Sequence, residues 1–439
     1  MQLKNFLTLA FSAWTPSVWQ KYPSLQIPIY PNIQKLDIIK QELIKSPPLV
    51  FAGEIRNLKK DLKEVHKGNA FVFQAGPCAE TFDCQDVAEI KKLFTIIVQS
   101  SLIMCYGLQK KVIRIGRIAG QYAKPRSEAL EKDNQTLTYR GDIMHDYETR
   151  ILEPERLRTA YYYSLSAINA LRSFSKSGDL DLENIRGWIP PLQDNVYTNY
   201  KRFANELQKS TRFLKNIGGA FQSREPEFYT SHEGLLLHYE EAMTRKELSS
   251  NEWYNCGAHT VWLGERTRES EAHVEYLAGI ENPIGIKVSS SANIDSIARL
   301  CRKLNPHNEL GKIMIVSRMG IEKIDEYLPS LIDGLTAANV KFILLCDPCH
   351  ANTKTIKGYK TRYLDTILEE ITKFFSICKA KNISAGGVHL EISGSALTEC
   401  IGQDVQIEDL ERNYQTKVDP RLNNMQTLQT AFHIASLIN

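Results

Sequence analysis

Residues 284–346 decide the fold. Ile284-Gly-Ile-Lys-Val288, Ile313-Met-Ile-Val316 and Phe342-Ile-Leu-Leu-Cys346 are three short apolar runs whose starts fall 29 residues apart. Helical patterns at Ile294–Leu304 and Ile324–Ala338 separate them, so each interval suits a strand, a helix and two short loops. Strands that are apolar along their whole length and alternate with helices are those of a parallel sheet covered on both faces. Working outward, runs of the same kind occur at Phe71-Val-Phe-Gln74, Val112-Ile-Arg-Ile115, Thr260-Val-Trp-Leu263 and Val388-His-Leu-Glu-Ile392. Glu227-Phe-Tyr-Thr230 is a weaker candidate, and further helices are expected at Asp86–Tyr106, Glu269–Ile280 and Tyr363–Lys379. Eight βα units close a barrel, so the expected fold is α/β, a (βα)8 TIM barrel.

The remainder decorates that barrel. Residues 1–60 carry Pro16, Trp19, Pro23, Pro28, Tyr30 and Pro31 and one helical stretch, Ile33 to Ile44. A disordered arm would not hold so many large apolar residues, so an ordered N-terminal extension packed on the barrel is expected. Residues 61–439 then form the catalytic barrel with a helical insertion at about 154–220. Pro154 opens one of its helices, which Gly178 ends; Tyr200–Lys215 forms another, and Gly187-Trp-Ile-Pro-Pro191 is a rigid loop between them.

Composition sets the class. The 439 residues are 43% hydrophobic and 24% charged, which excludes a collagen, a disordered tail and a disulfide miniprotein. Lys plus Arg number 54 against 51 Asp plus Glu, a near balance that argues against a nucleic-acid partner. Nine scattered cysteines, an odd number in a long chain, read as reduced thiols of a cytoplasmic protein. No apolar run reaches the roughly 18 residues of a membrane span. Asn5–Phe11 lacks the flanks of a signal peptide.

The chemistry comes from the residues that end each strand. Cys78 and Glu80 follow the first, and Arg117, Lys124 and Arg126 the second. Ser231-His-Glu233 and Glu265-Arg-Thr-Arg268 follow the third and fourth; Lys287 lies in the fifth and Arg318 ends the sixth. Asp347 and His350 follow the seventh, and Glu391 is on the eighth. In a βα barrel these ends converge on one mouth. Cys78, His350, Glu391 and the later Asp419 combine one soft, one intermediate and two hard donors, which suits Mn²⁺, Co²⁺, Zn²⁺ or Fe²⁺ better than Ca²⁺. Spacing alone leaves other Cys and His available as ligands. Arg117, Lys124, Arg126, Arg266, Lys287, Arg318 and Lys360 exceed the needs of one carboxylate and imply several anionic groups, phosphates among them. Competing motifs fail: Cys346-Asp-Pro-Cys349 has no second pair for a zinc knuckle, and no Walker A or dinucleotide fingerprint is present. His389 reads equally as a core histidine.

Several stretches are similar to the type II, plant-like, 3-deoxy-D-arabino-heptulosonate 7-phosphate (DAHP) synthases. They include Gln74-Ala-Gly-Pro-Cys-Ala-Glu80, Gly116-Arg-Ile-Ala-Gly-Gln-Tyr-Ala-Lys-Pro-Arg-Ser127, Thr230-Ser-His-Glu233, Trp262-Leu-Gly-Glu-Arg-Thr-Arg268, Cys346-Asp-Pro-Cys-His350, Gly387-Val-His-Leu-Glu391 and Asp419-Pro-Arg-Leu-Asn423. The resemblance implies condensation of phosphoenolpyruvate with erythrose 4-phosphate, the first step of the shikimate pathway of aromatic amino acid biosynthesis. It implies a divalent metal, Mn²⁺ first, on Cys78, His350, Glu391 and Asp419. Arg117, Glu265, Arg266, Lys287 and Arg318 would contact phosphoenolpyruvate, with Lys287 and Glu265 relaying protons. Lys124 and Ser127, with Arg126 nearby, would face the sugar phosphate. A homo-oligomer and an aromatic amino acid effector are expected in the same way. The chain departs from the family's usual pattern at Pro77 (usually Asp), His145 (usually Asn), Ser289-Ser-Ser291 (usually containing Gly-Pro) and Val418 (usually Cys). These leave open a specialised-metabolism variant using an amino-sugar phosphate, or a non-catalytic phosphometabolite-binding barrel.

Overall fold

Apolar runs with no polar face must be covered on both sides, and the eight predicted runs are. The computed structural model describes residues 14–131, 135–176, 195–216 and 227–437. Its strands are β1 (Ala70–Gly76), β2 (Lys111–Gly116), β3 (Phe228–Glu233) and β4 (Thr260–Leu263). They continue as β5 (Ile284–Ser289), β6 (Ile313–Arg318), β7 (Ile343–Cys346) and β8 (Gly387–Glu391). Each pairs in parallel with its neighbour in sequence and β8 returns to β1, closing the barrel. Val72 of β1, for example, lies opposite Ile113 of β2 and Gly387 of β8.

The weak third candidate is β3, and it runs on to Glu233, so Ser231-His-Glu233 lies in the strand rather than after it. Buried polar residues are tolerated there because they are paired. Ser231 Oγ accepts from Gln74 Nε2 at 3.0 Å and donates to Gly116 O at 3.1 Å, and His232 Nε2 meets Glu240 at 2.9 Å.

The helices are α1 (Ile33–Lys45), α2 (Ala52–His66), α3 (Val87–Leu108), α4 (Glu155–Lys176), α5 (Asn195–Asn216) and α6 (Leu237–Met243). They are followed by α7 (Glu271–Ala278), α8 (Ile294–Leu304), α9 (Ile324–Ala337), α10 (Leu364–Ala380) and α11 (Asn424–Ser436). Pro154 immediately precedes α4, whereas Gly178 and Gly187–Pro191 lie outside the described residues. α3 and α11 approach closely at Gly107, where an added Cβ would stand 2.3 Å from that of Ala435.

α2 is the main element that the sequence patterns did not predict, and it spans the boundary placed at residue 60. Its Leu58, Leu62 and Val65 form one cluster with Ala70, Val72, Ile113, Ile115, Met314, Val316, Ile343 and Leu345, alternate residues of the strands. The helix therefore closes the end of the barrel remote from the strand C-termini, which leaves the other end for chemistry. Residues 14–32 lie against the barrel wall. Trp14 Nε1 donates to Glu275 O at 3.0 Å and Trp19 Nε1 to Glu241 Oε2 at 2.9 Å. Among the described residues no helix is long and apolar enough to cross a membrane.

Candidate active site

The strand C-termini surround a cavity of about 460 Å³, in the range of small-molecule sites. Cys78, Arg117, Lys124, Arg126, Ser127, Glu265, Arg266, Lys287, Arg318, His350 and Asp419 line it. Glu391 is the exception among the predicted residues: it is fully buried, with Oε1 2.9 Å from His350 Nε2.

The four predicted donors come together. One ligand atom from each of Cys78, His350, Glu391 and Asp419 lies within 4.8 Å of every other. β1 delivers Cys78, β8 delivers Glu391, and the turns after β7 and before α11 bring His350 and Asp419. The imidazole orientation is informative. His350 Nδ1 lies 2.7 Å from Asp347 Oδ2 and its Nε2 2.9 Å from Glu391 Oε1, so both ring nitrogens are aimed at carboxylates. A histidine held by a carboxylate on one nitrogen, with the other turned toward further donors, is the usual arrangement of a metal ligand. Lysines are drawn to the same donors: Lys124 Nζ contacts both Cys78 Sγ and Asp419 Oδ2, and Lys360 Nζ is 2.9 Å from Asp419 Oδ1. Burial and Glu391 push the Cys78 thiol up to about 12. Burial opposes the charge on Glu391, but His350, Arg362 and Arg117 outweigh it and hold the carboxyl well below its ordinary value.

Cations form the wall. Arg117 is buried, with Nη1 2.7 Å from His389 Nε2, Nη2 2.9 Å from Cys78 O, and its guanidinium over the Trp262 ring at 5.2 Å. His389 is thus neither an ordinary core residue nor a ligand; burial, Lys287 and Arg117 hold it well below the ordinary histidine value, and it backs the guanidinium as an acceptor. Lys287 Nζ contacts Asp347 Oδ2, and burial draws its pKa below that of an ordinary lysine although Asp347 pulls the other way. Arg318 Nη1 is 2.8 Å from Glu265 Oε2, whose other oxygen takes the Ser289 hydroxyl. Arg266 donates to Ser127 Oγ from Nε at 2.9 Å and Nη2 at 2.7 Å.

Three residues carry roles that the sequence does not reveal. Asp347 is fully buried and joins Lys287 to His350, so one carboxylate orients both the cation and the donor. Arg362, also fully buried, sets Nη2 2.6 Å from Glu391 Oε2 and contacts Pro420 O. Glu233 lines the cavity with a buried Oε1 that has no hydrogen-bond partner among the described residues, and burial raises its pKa to about 7. Asp347 and Glu233 fall among the strand-end residues of the sequence but without their partners, and nothing in the spacing of Arg362 separates it from a solvated residue. Glu80 proves structural: its carboxylate accepts from the amides of Ala119, Gly120 and Gln121 at 2.7–3.0 Å, which shapes the loop leading to Lys124.

The departures from the usual pattern fall in different places. His145 is buried, taking Arg140 N at 3.2 Å, and lies off the cavity wall. Val418 packs with Cys78 and Tyr139. Of the serine run, Ser289 alone reaches a predicted site residue, Glu265.

A family model described as the class-II DAHP synthetase family matches residues 14–435. A protein from Streptomyces coelicolor named phospho-2-dehydro-3-deoxyheptonate aldolase is 37% identical over 439 aligned residues, covering 96% of both chains. One of the same name from Neurospora crassa is 38% identical over 452, covering 96% of this chain and 94% of its own. A solved structure of the phospho-2-dehydro-3-deoxyheptonate aldolase from Francisella tularensis aligns with a TM-score of 0.47 at 16% identity, covering 92% of this chain and 96% of that one. With the family model matched across nearly all of its length and two relatives aligned end to end, the chain belongs to the class-II DAHP synthetase family.

Proposed function

We propose that the chain is a DAHP synthase: it joins phosphoenolpyruvate, erythrose 4-phosphate and water to give DAHP and inorganic phosphate, the first step of the shikimate pathway. The carrying observation is one cavity lined by seven lysine and arginine side chains and by Cys78, His350 and Asp419, three donors of a four-donor cluster that the buried Glu391 completes. Cys78, His350, Glu391 and Asp419 would hold a divalent cation, Mn²⁺ in the first instance with Co²⁺, Zn²⁺ or Fe²⁺ as substitutes, and when bound it supplies Lewis acidity toward the aldehyde oxygen. Arg117, Arg266, Lys287 and Arg318 bind the carboxylate and phosphate of phosphoenolpyruvate. Lys124, Arg126 and Ser127 bind the phosphate of the sugar. Fixing both reactants by their anionic ends is worth roughly 7–11 kcal/mol in well-aligned reactions.

Carbon 3 of phosphoenolpyruvate bonds to the aldehyde carbon, and the aldehyde oxygen takes a proton. Water adds to carbon 2, the bond from carbon 2 to the phosphate oxygen breaks, and carbon 2 becomes the ketone as phosphate leaves. Lys287, in the cavity wall, is the source of the proton that the aldehyde oxygen takes. Two carboxylates compete for the proton released by water. Glu265 has both oxygens engaged, by Arg318 and Ser289, whereas Glu233 has a free oxygen and a pKa near neutrality. We assign that proton to Glu233 and to Glu265 the fixing of Arg318.

Glu233→Gln should therefore lower kcat at least about 100-fold with bound metal unchanged. A base acts when ionised, so the wild-type acid limb near pH 7 should vanish in this variant. Glu265→Gln should act mainly on the KM for phosphoenolpyruvate. The opposite ranking returns the proton relay to Glu265.

The assay for the activity is consumption of phosphoenolpyruvate with erythrose 4-phosphate, before and after chelation. Loss restored by Mn²⁺ or Co²⁺ is expected, and chelator-insensitive turnover would count against the Cys78 site. Consumption with another aldose phosphate alone would favour the specialised variant; none with any would favour a binding barrel. Exposed Ile33 and Ile38 on α1 and Tyr162 on α4 support self-association through these helices.

A further inference from the structure

The N-terminal arm reaches the backbone of one cavity-lining residue, Arg126, through Gln26. Pro23 O accepts from Ala272 N at 3.2 Å, and Leu25 N donates to Ser270 Oγ at 3.2 Å, so the arm is tied to the start of α7. The next residue, Gln26, has φ of 64°, a left-handed conformation that a non-glycine residue keeps only where its surroundings hold it. Its carboxamide is held at both ends by a single residue. Nε2 donates to Arg126 O at 3.0 Å, and Oε1 accepts from Arg126 N at 3.1 Å. The side chain thus pairs with Arg126 as a neighbouring strand would pair with a strand.

The position of Arg126 in the cavity wall gives that pairing its consequence. Arg126 and Ser127 both line the cavity, and Ser127 Oγ is the acceptor for two nitrogens of Arg266. Arg266 and Ser270 lie on the same loop after β4, so the connections form a closed circuit: β4 loop, arm, Arg126, Ser127, Arg266 and back. Between β2 and α4 the described chain has no helix or strand of its own, only isolated bridges at Leu130–Leu137 and His145–Leu152. The backbone at Arg126 therefore lacks the ladder that fixes the strand-borne residues, and Gln26 supplies the equivalent.

We infer that Gln26 is a positioning residue that fixes the backbone of Arg126 and Ser127, and with it the phosphosugar half of the site, from outside the barrel. The inference rests on reading Lys124–Ser127 as that half. Gln26 reaches no substrate itself. Its removal should act mainly on the sugar phosphate, because three of the four cations assigned to phosphoenolpyruvate, Arg117, Lys287 and Arg318, stand on or directly after β2, β5 and β6, and only Arg266 shares the circuit, through Ser127.

The test compares the wild-type chain with Gln26→Ala and Gln26→Glu. The alanine variant should raise the KM for erythrose 4-phosphate about tenfold, the effect of losing two hydrogen bonds. The KM for phosphoenolpyruvate and kcat should stay within about twofold. Hydrogen exchange at the Arg126 amide, measured without substrates, should quicken in Gln26→Ala. The glutamate variant keeps the acceptor and loses the donor, so it should keep that amide protected and give a smaller KM shift. Equal rises in both KM values, a fall in kcat alone, or unchanged exchange at Arg126 in Gln26→Ala would overturn the inference. If the wild-type chain does not turn over the two substrates, the functional reading fails, and exchange at Arg126 still decides whether Gln26 fixes the loop. Should Gln26→Ala fail to fold, the KM split in Gln26→Glu decides instead.

Discussion

Cys78→Ala should leave a folded barrel that no longer retains divalent metal and has lost turnover by about three orders of magnitude or more. The residue is a small part of the core: it sits in a minor cluster with Tyr139 and Val418, so the cavity its sulfur leaves costs little stability. Its chemical part is larger. Burial and Glu391 push the free thiol up to about 12, so no thiolate forms at neutral pH from Lys124 alone. A divalent cation reverses that, because a coordinating thiol is deprotonated outright. Altering a group behind a ligand costs roughly 10–100-fold in metal affinity, and deleting the only soft ligand of four should exceed it. Metal content after dialysis and the thiolate-to-Co²⁺ charge-transfer absorption read the loss directly. Cys78→Ser, a hard donor of similar size, should recover metal binding in part and lack the absorption. Full metal content and undiminished turnover in the alanine variant would remove Cys78 from the site.

The barrel is legible in the sequence because its signal is redundant. Three apolar runs at equal intervals, each with its helix, would survive the misreading of any one element. β3 gives the weakest signal because Ser231, His232 and Glu233 break the apolar run, and the partners that let them do so, Gln74, Gly116 and Glu240 among them, lie outside the strand. α2 carries an ordinary helical signal, Ile55, Leu58, Leu62 and Val65 at spacings of three and four, yet it falls where prolines and aromatics suggest an irregular extension. The site shows the same division. The residues at strand ends can be found because topology alone gathers them. The roles of Arg362 and Asp347 cannot, since a buried charge is recognised by its partners and several of these are far off in sequence. Nothing in residues 360–364 says that one guanidinium will be fully buried against a carboxylate from β8. Gln26 is further from legibility still, being a polar residue 100 positions from the backbone it binds.

Arg362→Met should be the most destabilising single change near the site, about 3 kcal/mol in urea unfolding of the metal-free protein at neutral pH. Removing one partner of a buried ion pair costs about 3–5 kcal/mol, because the other charge is left uncompensated. Arg117 Nη2, 3.3 Å from Glu391 Oε1, and His350 remain, which places this case at the lower end. The pH dependence has a definite sign. Glu391 and Asp347 are held well below their ordinary values, against burial, by His350 with Arg362 and by His350 with Lys287 respectively. Groups so depressed contribute stability that is fully present above the unfolded values of about 4.3 and 3.9 and is lost as pH falls through the folded ones. Without Arg362 the folded value of Glu391 rises, so acid unfolding should begin at a higher pH than in the wild-type chain. Arg362 also holds Pro420 O, beside Asp419, so two donors loosen together and metal affinity should fall roughly 10–100-fold. Arg362→Lys keeps the charge and cannot bridge both acceptors, so it should recover the acid limb more fully than the metal affinity. A loss below about 1 kcal/mol with the acid midpoint unmoved would mean that Arg117 and His350 alone compensate Glu391, and that Arg362 is a bystander to the donor cluster.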